Sequence, residues 1–218
     1  MKPPKPKKTQ LCLITNRKLL SPSSDSLNVK ESISTLLNHC IEAAYSGIDI
    51  IQIREKDLSA KDLSQLVNDL SKELKSLNTT LLVNDRLDIA LSCGANGVHL
   101  PGNSLPIKEV RKYVGKDFIV SVSTHSVEEA CLAAESGASF VLFSPIFDTP
   151  SKRIYGKPLG LELLSQATKK ITCPVIALGG INRENAKSVL DCGAWGLAAI
   201  RLFIESSNLR DLVNELKQ

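Results

Sequence analysis

The chain has 218 residues, a length that suits one large domain or two small ones. Hydrophobic residues make up 43%, which excludes global disorder, and no apolar run is long enough to span a bilayer. Lys+Arg 27 against Asp+Glu 23 gives a net charge of +4, too mild to point to nucleic acid but suited to a small anionic substrate if the charge is focused at a cleft.

The start, MKPPKPKK, is basic, and no apolar signal core follows it. Residues 1–10 are expected to form a short disordered leader before a single domain over 11–218, in a cytoplasmic protein. Eight short, nearly continuous apolar runs come next: Leu11–Thr15, Ile48–Arg54, Thr80–Asn84, Gly97–Leu100, Phe118–Ser123, Phe140–Ser144, Pro174–Leu178 and Gly196–Ile200. Such runs fit parallel strands buried on both faces. SPSSDSLNVK, at positions 21–30, reads as a loop after the first run. Helix-period segments separate the later ones. ESISTLLNHCIEAAYSG spaces Ile33, Leu36, Leu37, Cys40, Ile41 and Ala44 along one face. LSAKDLSQLVNDLSKELKSL has Ser59 as its N-cap. SVEEACLAAESG opens on a capping box of Ser126 and Glu129, and INRENAKSVLDCG opens on Asn182. Helices repeatedly end in glycine, at Gly47, Gly94, Gly137 and Gly193, before re-entering a strand. Strand–helix alternation about eight times over some two hundred residues is the α/β pattern of a single (β/α)8 TIM barrel; a doubly wound open sheet is the rival. The six cysteines show no CxxC pair or metal-ligand spacing, and are expected to be reduced, mostly buried thiols.

The apolar runs end, one after another, in polar clusters. In a parallel barrel these ends meet on one face, which carries the active site. In QIREK, if Ile51 and Ile53 face the helices, then Gln52, Arg54 and Lys56 face the barrel mouth. A cation there needs an anionic ligand, or a salt bridge to Asp85 or Glu55. In VNDR, Asp85 could hold Mg²⁺ against a pyrophosphate, or pair with Arg54. In DTPSK, Thr149, Ser151 and Lys152 suit a phosphate, although a polar surface loop would read the same. SKRIYGKPLG, which follows, suits a mobile lid. In ALGG, Gly179 and Gly180 let backbone N–H groups approach an anion, or simply make a tight turn. His39 reads as structural. His99 and His125 end the fourth and fifth runs, where each is a hydrogen-bonded residue of the mouth or, for His125, a general acid or base.

Together, QIREKDLS, VNDRLDIAL, GANGVHLP, STHSVEEA, SPIFDTPSK and ALGGINREN resemble segments of the thiamine phosphate synthase family, which includes the closely related thiazole tautomerase. The resemblance runs from LITNR to the last helix. It implies an enzyme that joins hydroxymethylpyrimidine diphosphate to thiazole phosphate and releases pyrophosphate, with Mg²⁺ as cofactor. It further implies that Gln52, Arg54 and Lys56 bind pyrophosphate and support the pyrimidine. Asn84 would contact pyrophosphate, Asp85 would bind Mg²⁺, and Ser123 would contact the pyrimidine or the pyrophosphate. Thr149, Ser151 and Lys152 would hold the phosphate groups, and Gly180 the thiazole phosphate. Lys152, Arg54, Ser123 and His125 are the expected catalytic set. Two departures stand out. Ser104 occupies the usual position of a second metal-binding Asp, and Arg201 ends the eighth run where a Ser-x-Ile is usual. Arg201 could add a guanidinium to the phosphate site or block it. The alternatives are a thiazole tautomerase working through His125, and a phosphate-binding barrel without catalysis. No nucleic acid or membrane partner is expected, and the sequence leaves a homo-oligomer open.

Overall fold

A computed structural model describes residues 8–20, 28–149 and 157–218. Eight parallel strands close on themselves: β1 (Gln10–Ile14), β2 (Ile50–Ile53), β3 (Thr80–Asn84), β4 (Gly97–Leu100), β5 (Ile119–Thr124), β6 (Phe140–Phe143), β7 (Val175–Leu178) and β8 (Gly196–Ala199). The pairing of β1 with β8 completes the (β/α)8 barrel and disposes of the open-sheet alternative. All eight expected strands are present, with ends shifted by a residue or two. Gln10, expected to end the leader, already belongs to β1; residues 1–7 lie outside the described residues.

The helices are α1 (Val29–Tyr45), α2 (Ala60–Glu73), α3 (Leu87–Ser92), α4 (Ile107–Val110), α5 (Val127–Glu135), α6 (Gly160–Lys170), α7 (Arg183–Asp191), α8 (Arg201–Ile204) and α9 (Leu209–Leu216). Val29 and Lys30, expected in a loop, start α1; residues 21–27 of that loop lie outside the described residues. Ser59, Ser126 and Asn182 cap as expected, each side-chain oxygen accepting the N–H three residues on. One cap differs in detail. Ser126 accepts from the Glu129 N–H, but the Glu129 carboxylate turns one residue further back and accepts from the His125 N–H at 2.7 Å. The four helix-ending glycines all adopt positive φ. All six cysteines are free, but only Cys12 and Cys40 are buried; solvent partly reaches the other four, Cys131 in the middle of α5 included, which corrects the expectation of mostly buried thiols.

Two apolar layers follow from the two-residue period of the strands. The alternating residues Ile51, Ile53, Leu81, Val83 and Val98 pack outward against the helices. Cys12, Ile14, Ile50, Leu82, Phe140, Leu142, Ile176 and Ala198 fill the barrel itself. Each step of two toward the C-terminal end of a strand climbs the interior, so Gln52 stands above Ile50, Asn84 above Leu82 and Ser144 above Leu142. Burying Ile51 and Ile53 stabilises the fold by roughly 1.5–3 kcal/mol each. A one-residue slip of β2 would forfeit that and turn Arg54 from the mouth into the helical layer. Register is thus the link by which core packing places the polar residues.

Candidate active site

The interior climbs from apolar to polar, and its upper layer holds two hydrogen-bonded groups side by side, Gln52 with Asn84 on β2 and β3 and His99 with two serines on β4 and β5. Gln52, 2% exposed, donates through Nε2 to Asn84 Oδ1 at 3.2 Å. Asn84 pairs in register with His99, and His99 with Ser121. The His99 ring lies between two serines, with Nδ1 3.0 Å from Ser121 Oγ and Nε2 2.9 Å from Ser123 Oγ. Burial, and secondarily the nearby charge of Arg54, push its imidazole down to about 3, so His99 is neutral near pH 7.

Three buried polar atoms around the mouth have no hydrogen-bond partner among the described residues: Gln52 Oε1, Ser144 Oγ and Thr149 Oγ1. A buried polar atom left unpaired costs roughly 1–3 kcal/mol. A ligand that satisfies these atoms recovers that cost, and this marks the mouth as a binding site. Ser144 was not anticipated from sequence, since it reads there as the last residue of an apolar run.

Arg54 is half-buried. Its backbone N–H donates to Thr15 Oγ1 at 2.9 Å, and its guanidinium has no carboxylate within ion-pair distance among the described residues. Neither candidate partner neutralises it. Glu55 is taken by Arg17, whose guanidinium lies 2.9 Å from Glu55 Oε2 and forks onto Asp57 at 2.6 and 3.0 Å. The Arg17 backbone N–H also donates to Glu55 Oε1 at 3.0 Å. Arg17 opens a short 3₁₀ turn just after β1 and is itself buried. The alternation of Arg54, Glu55, Lys56 and Asp57 is thereby sorted: the acids turn back to Arg17, and the cations are left unneutralised. Lys56 is exposed on the loop that follows β2. Sequence reading missed Arg17. The available signal was a lone arginine closing the first apolar run, facing an alternating REKD.

Arg17 and Lys18 hold the Asp57 carboxyl well below the usual carboxylate range. A carboxyl lowered by folding stabilises the fold above its unfolded value, about 3.9, and that contribution is lost as pH falls through the lower folded value. Asp57→Asn is therefore expected to be less stable than the unsubstituted chain near neutrality, with the gap shrinking below about pH 4. Urea midpoints of both proteins across that range check this; a gap that does not change with pH contradicts it.

Asp85 is exposed at the end of β3, with φ 65. Its backbone N–H donates to the His99 carbonyl at 2.8 Å. Arg86 turns to Asp88, 2.7 Å away, so Asp85 has no ion pair among the described residues. Ser104 does meet it: Ser104 Oγ donates to Asp85 Oδ1 at 2.5 Å. His125 is exposed, and its Nδ1–H donates to the Ser144 carbonyl at 2.7 Å, tying the end of β5 to the start of the loop after β6.

Gly179 and Gly180 have φ 104 and 68. A Cβ on Gly180 would lie 2.6 Å from Phe147 Cβ and 2.9 Å from the Asp148 carbonyl oxygen, so the turn rests against the loop that carries Thr149. Asn185 Nδ2 donates to the Gly180 carbonyl at 2.9 Å. Arg201 begins α8 and pairs with Glu205 at 2.5 Å on the surface. It lines a cavity of about 510 Å³ with Ile181, Asn182 and Arg183, the residues that follow the glycine turn. Ser151 and Lys152 lie outside the described residues, as does most of the expected lid.

The profile of a family described as thiamine monophosphate synthase matches residues 14–203. The chain belongs to the thiamine monophosphate synthase family. It is 37% identical over 202 residues to the thiamine-phosphate synthase of Clostridium novyi, covering 92% of this chain and 93% of that one. It is 36% identical over 208 residues to that of Syntrophomonas wolfei, covering 95% and 94%. Among solved structures it resembles the thiamine phosphate pyrophosphorylase of Pyrococcus furiosus, with a TM-score of 0.80, 28% identity and coverage of 95% and 93%. In this thiamine monophosphate synthase barrel, Gln52, Arg54, Asn84, Asp85, Ser123, His125, Thr149 and Gly180 all fall at or above the C-terminal strand ends, and Arg201 stands beside them. No helix among the described residues is long and apolar enough to cross a membrane.

Proposed function

We propose the following reading of the site. The chain is a thiamine-phosphate synthase, a transferase that joins hydroxymethylpyrimidine diphosphate to thiazole phosphate and releases pyrophosphate. The observation that carries the reading is Arg54, a half-buried guanidinium at the barrel mouth whose nearest acids are diverted to Arg17. Such a group is stabilised by an anionic ligand, and a diphosphate supplies one.

The bond between the pyrimidine methylene carbon and the diphosphate oxygen breaks, and its electron pair leaves with pyrophosphate. The electron-rich pyrimidine stabilises the resulting cation. The thiazole nitrogen then donates its lone pair to that carbon. Arg54, Lys56 and Lys152 hold the departing anion, with Asn84, Thr149 and Ser151 as hydrogen-bond donors. Gln52 and Ser123 orient the pyrimidine, and the Gly180 turn seats the thiazole phosphate. Arg201 is held by a surface ion pair worth little, about 0–1 kcal/mol, and is free to swing to that phosphate. Small phosphorylated substrates are the partners this chemistry requires.

Mg²⁺ fits the donor set as an ion shared with substrate. Asp85 offers one exposed carboxylate, Ser104 a neutral oxygen, and no group of three or more His, Cys, Asp or Glu forms a closed cage among the described residues. Mg²⁺ commonly takes one or two carboxylates together with phosphate oxygens. When bound, it supplies positive charge to the leaving pyrophosphate. Mg²⁺ should therefore bind weakly to the free protein and far more tightly with pyrophosphate present. Ser104→Asp should destabilise the metal-free fold, because two carboxylates then meet where a hydroxyl now donates, and should tighten the Mg²⁺–pyrophosphate complex. Calorimetry on both proteins checks this; strong Mg²⁺ binding without pyrophosphate contradicts it.

The tautomerase reading has one observation in its favour: the bond from His125 Nδ1–H to the Ser144 carbonyl makes Nε2 the nitrogen that is free to exchange a proton with a ligand. In the synthase the bond changes need little proton transfer. An Asn amide can also keep the donor to the Ser144 carbonyl. His125→Asn is thus expected to slow pyrophosphate release by about tenfold or less, whereas loss of a true acid–base group costs roughly 10²–10⁴-fold. The test of the whole reading is a product assay with both substrates, with and without Mg²⁺. Equal amounts of thiamine phosphate and pyrophosphate, dependent on Mg²⁺, are expected. No pyrophosphate from the unsubstituted chain, with thiazole aromatisation that collapses in His125→Asn, overturns it.

A further inference from the structure

His99 is bracketed by two serine hydroxyls from the neighbouring strand, at 3.0 and 2.9 Å, and is 2% exposed. A neutral imidazole carries one N–H and one bare nitrogen, so the hydrogen bond at one end decides the polarity of the other. Ser121 is fully buried, and besides the ring its hydroxyl has one acceptor among the described residues, the Val98 carbonyl, at 3.5 Å. Of the two tautomers the ring contacts allow, the one that uses this carbonyl has the Ser121 O–H directed there and Ser121 Oγ accepting from Nδ1–H. Nε2 is then bare and accepts from the Ser123 O–H. Ser123, the outer and only partly buried member of the chain, is left with its lone pairs turned to the mouth.

We propose that His99 is a positioning residue that fixes the Ser123 hydroxyl as a hydrogen-bond acceptor, and thereby assigns Ser123 to the pyrimidine ring and not to the pyrophosphate. The inference rests on the synthase reading of the site. The oxygens of a deprotonated, Mg²⁺-bound diphosphate only accept, so a hydroxyl whose proton is spent on His99 gives them nothing. A ring nitrogen or amino group bearing N–H is the complementary partner. Gln52 Oε1, unpaired among the described residues, is also an acceptor. The mouth thus separates an acceptor-lined inner part, suited to a heteroaromatic donor, from the cationic outer part around Arg54.

The first test needs no turnover. Imidazole ¹⁵N chemical shifts of His99 should report the Nδ1–H tautomer in the unsubstituted chain, with the bare Nε2 resonance moving in Ser123→Ala. The Nε2–H tautomer overturns the proposal. The second test uses inorganic pyrophosphate with Mg²⁺ as the probe. Ser123→Ala and His99→Asn should leave its affinity within about twofold, and both should raise KM for the pyrimidine diphosphate by about tenfold or more, in line with about one lost hydrogen bond. Their effects on kcat/KM should not multiply in the double variant, because both break one link. His99→Gln, which can still offer an acceptor where Nε2 stood, should recover part of the loss that His99→Asn, too short to reach Ser123, does not. Pyrophosphate affinity that falls as far as pyrimidine affinity, or fully multiplicative effects, overturns the assignment. Should the unsubstituted chain release no pyrophosphate at all, the synthase reading fails, while the tautomer and pyrophosphate measurements still decide the role of His99.

Discussion

Arg54→Ala is expected to lower kcat/KM for the pyrimidine diphosphate about a hundred- to a thousandfold, as removal of a charge stabiliser from a preorganised site typically costs roughly 3–4 kcal/mol. Tm should move by only about 2 °C, since changes outside special contacts stay near 0.5 kcal/mol and each kcal/mol shifts a domain of this size by roughly 2–4 °C. This separation is possible because the Arg54 guanidinium pairs with no acid among the described residues; its structural bond, from backbone N–H to Thr15, survives truncation. Arg54→Lys should recover only part of the rate, because a point charge does not reproduce a planar fork. Steady-state kinetics beside thermal unfolding decide the matter. A large loss of stability in Arg54→Ala would mean that the guanidinium serves the fold.

Gly180→Ala should damage both the fold and the site. The residue lies at φ 68, and its added Cβ would meet Phe147 Cβ at 2.6 Å. The left-handed conformation costs an L-residue roughly 1–2 kcal/mol, and overpacking typically about 1–3 more. A fall in Tm of roughly 5–15 °C follows. The clash also presses on the loop holding Thr149, so KM for the thiazole phosphate should rise by about tenfold or more, and KM for the pyrimidine diphosphate by much less. Equal rises in the two constants would contradict the assignment of this turn to the thiazole phosphate.

The barrel was legible because each strand is buried on both faces and so writes a nearly continuous apolar run. The helix starts were legible because caps are local: Ser59, Ser126 and Asn182 each act within three residues. Period two accounts for Ile51 and Ile53 packing against the helices while Gln52, between them, meets Asn84 inside the barrel. What escaped were bonds between residues far apart in the chain. Arg17 meets Glu55 and Asp57 across 38 and 40 positions, and His99 meets its serines across 22 and 24. Those partnerships depend on register and strand order, which no short window contains. Glu129 is a local exception: only four residues from His125, its carboxylate serves that N–H and not its own cap, because a capping box fixes the residue types but not which N–H the acid reaches. The thiols misled for a related reason: a cysteine near a helix end is buried or open according to which face the neighbouring helix covers.

The clamp of Arg17 on Glu55 and Asp57 also bears on how this chemistry could be transplanted. The string QIREKD looks like a portable cassette, but its net charge is zero across Arg54, Glu55, Lys56 and Asp57. Its cationic character exists only while the turn after the neighbouring strand withdraws the two acids. Grafted alone onto another barrel, the segment would neutralise itself. The smallest transferable unit is therefore the pair of adjacent strands together with the turn that carries the arginine. Protein engineers who move anion-binding sites between scaffolds would need to copy the discarded charges along with the useful ones.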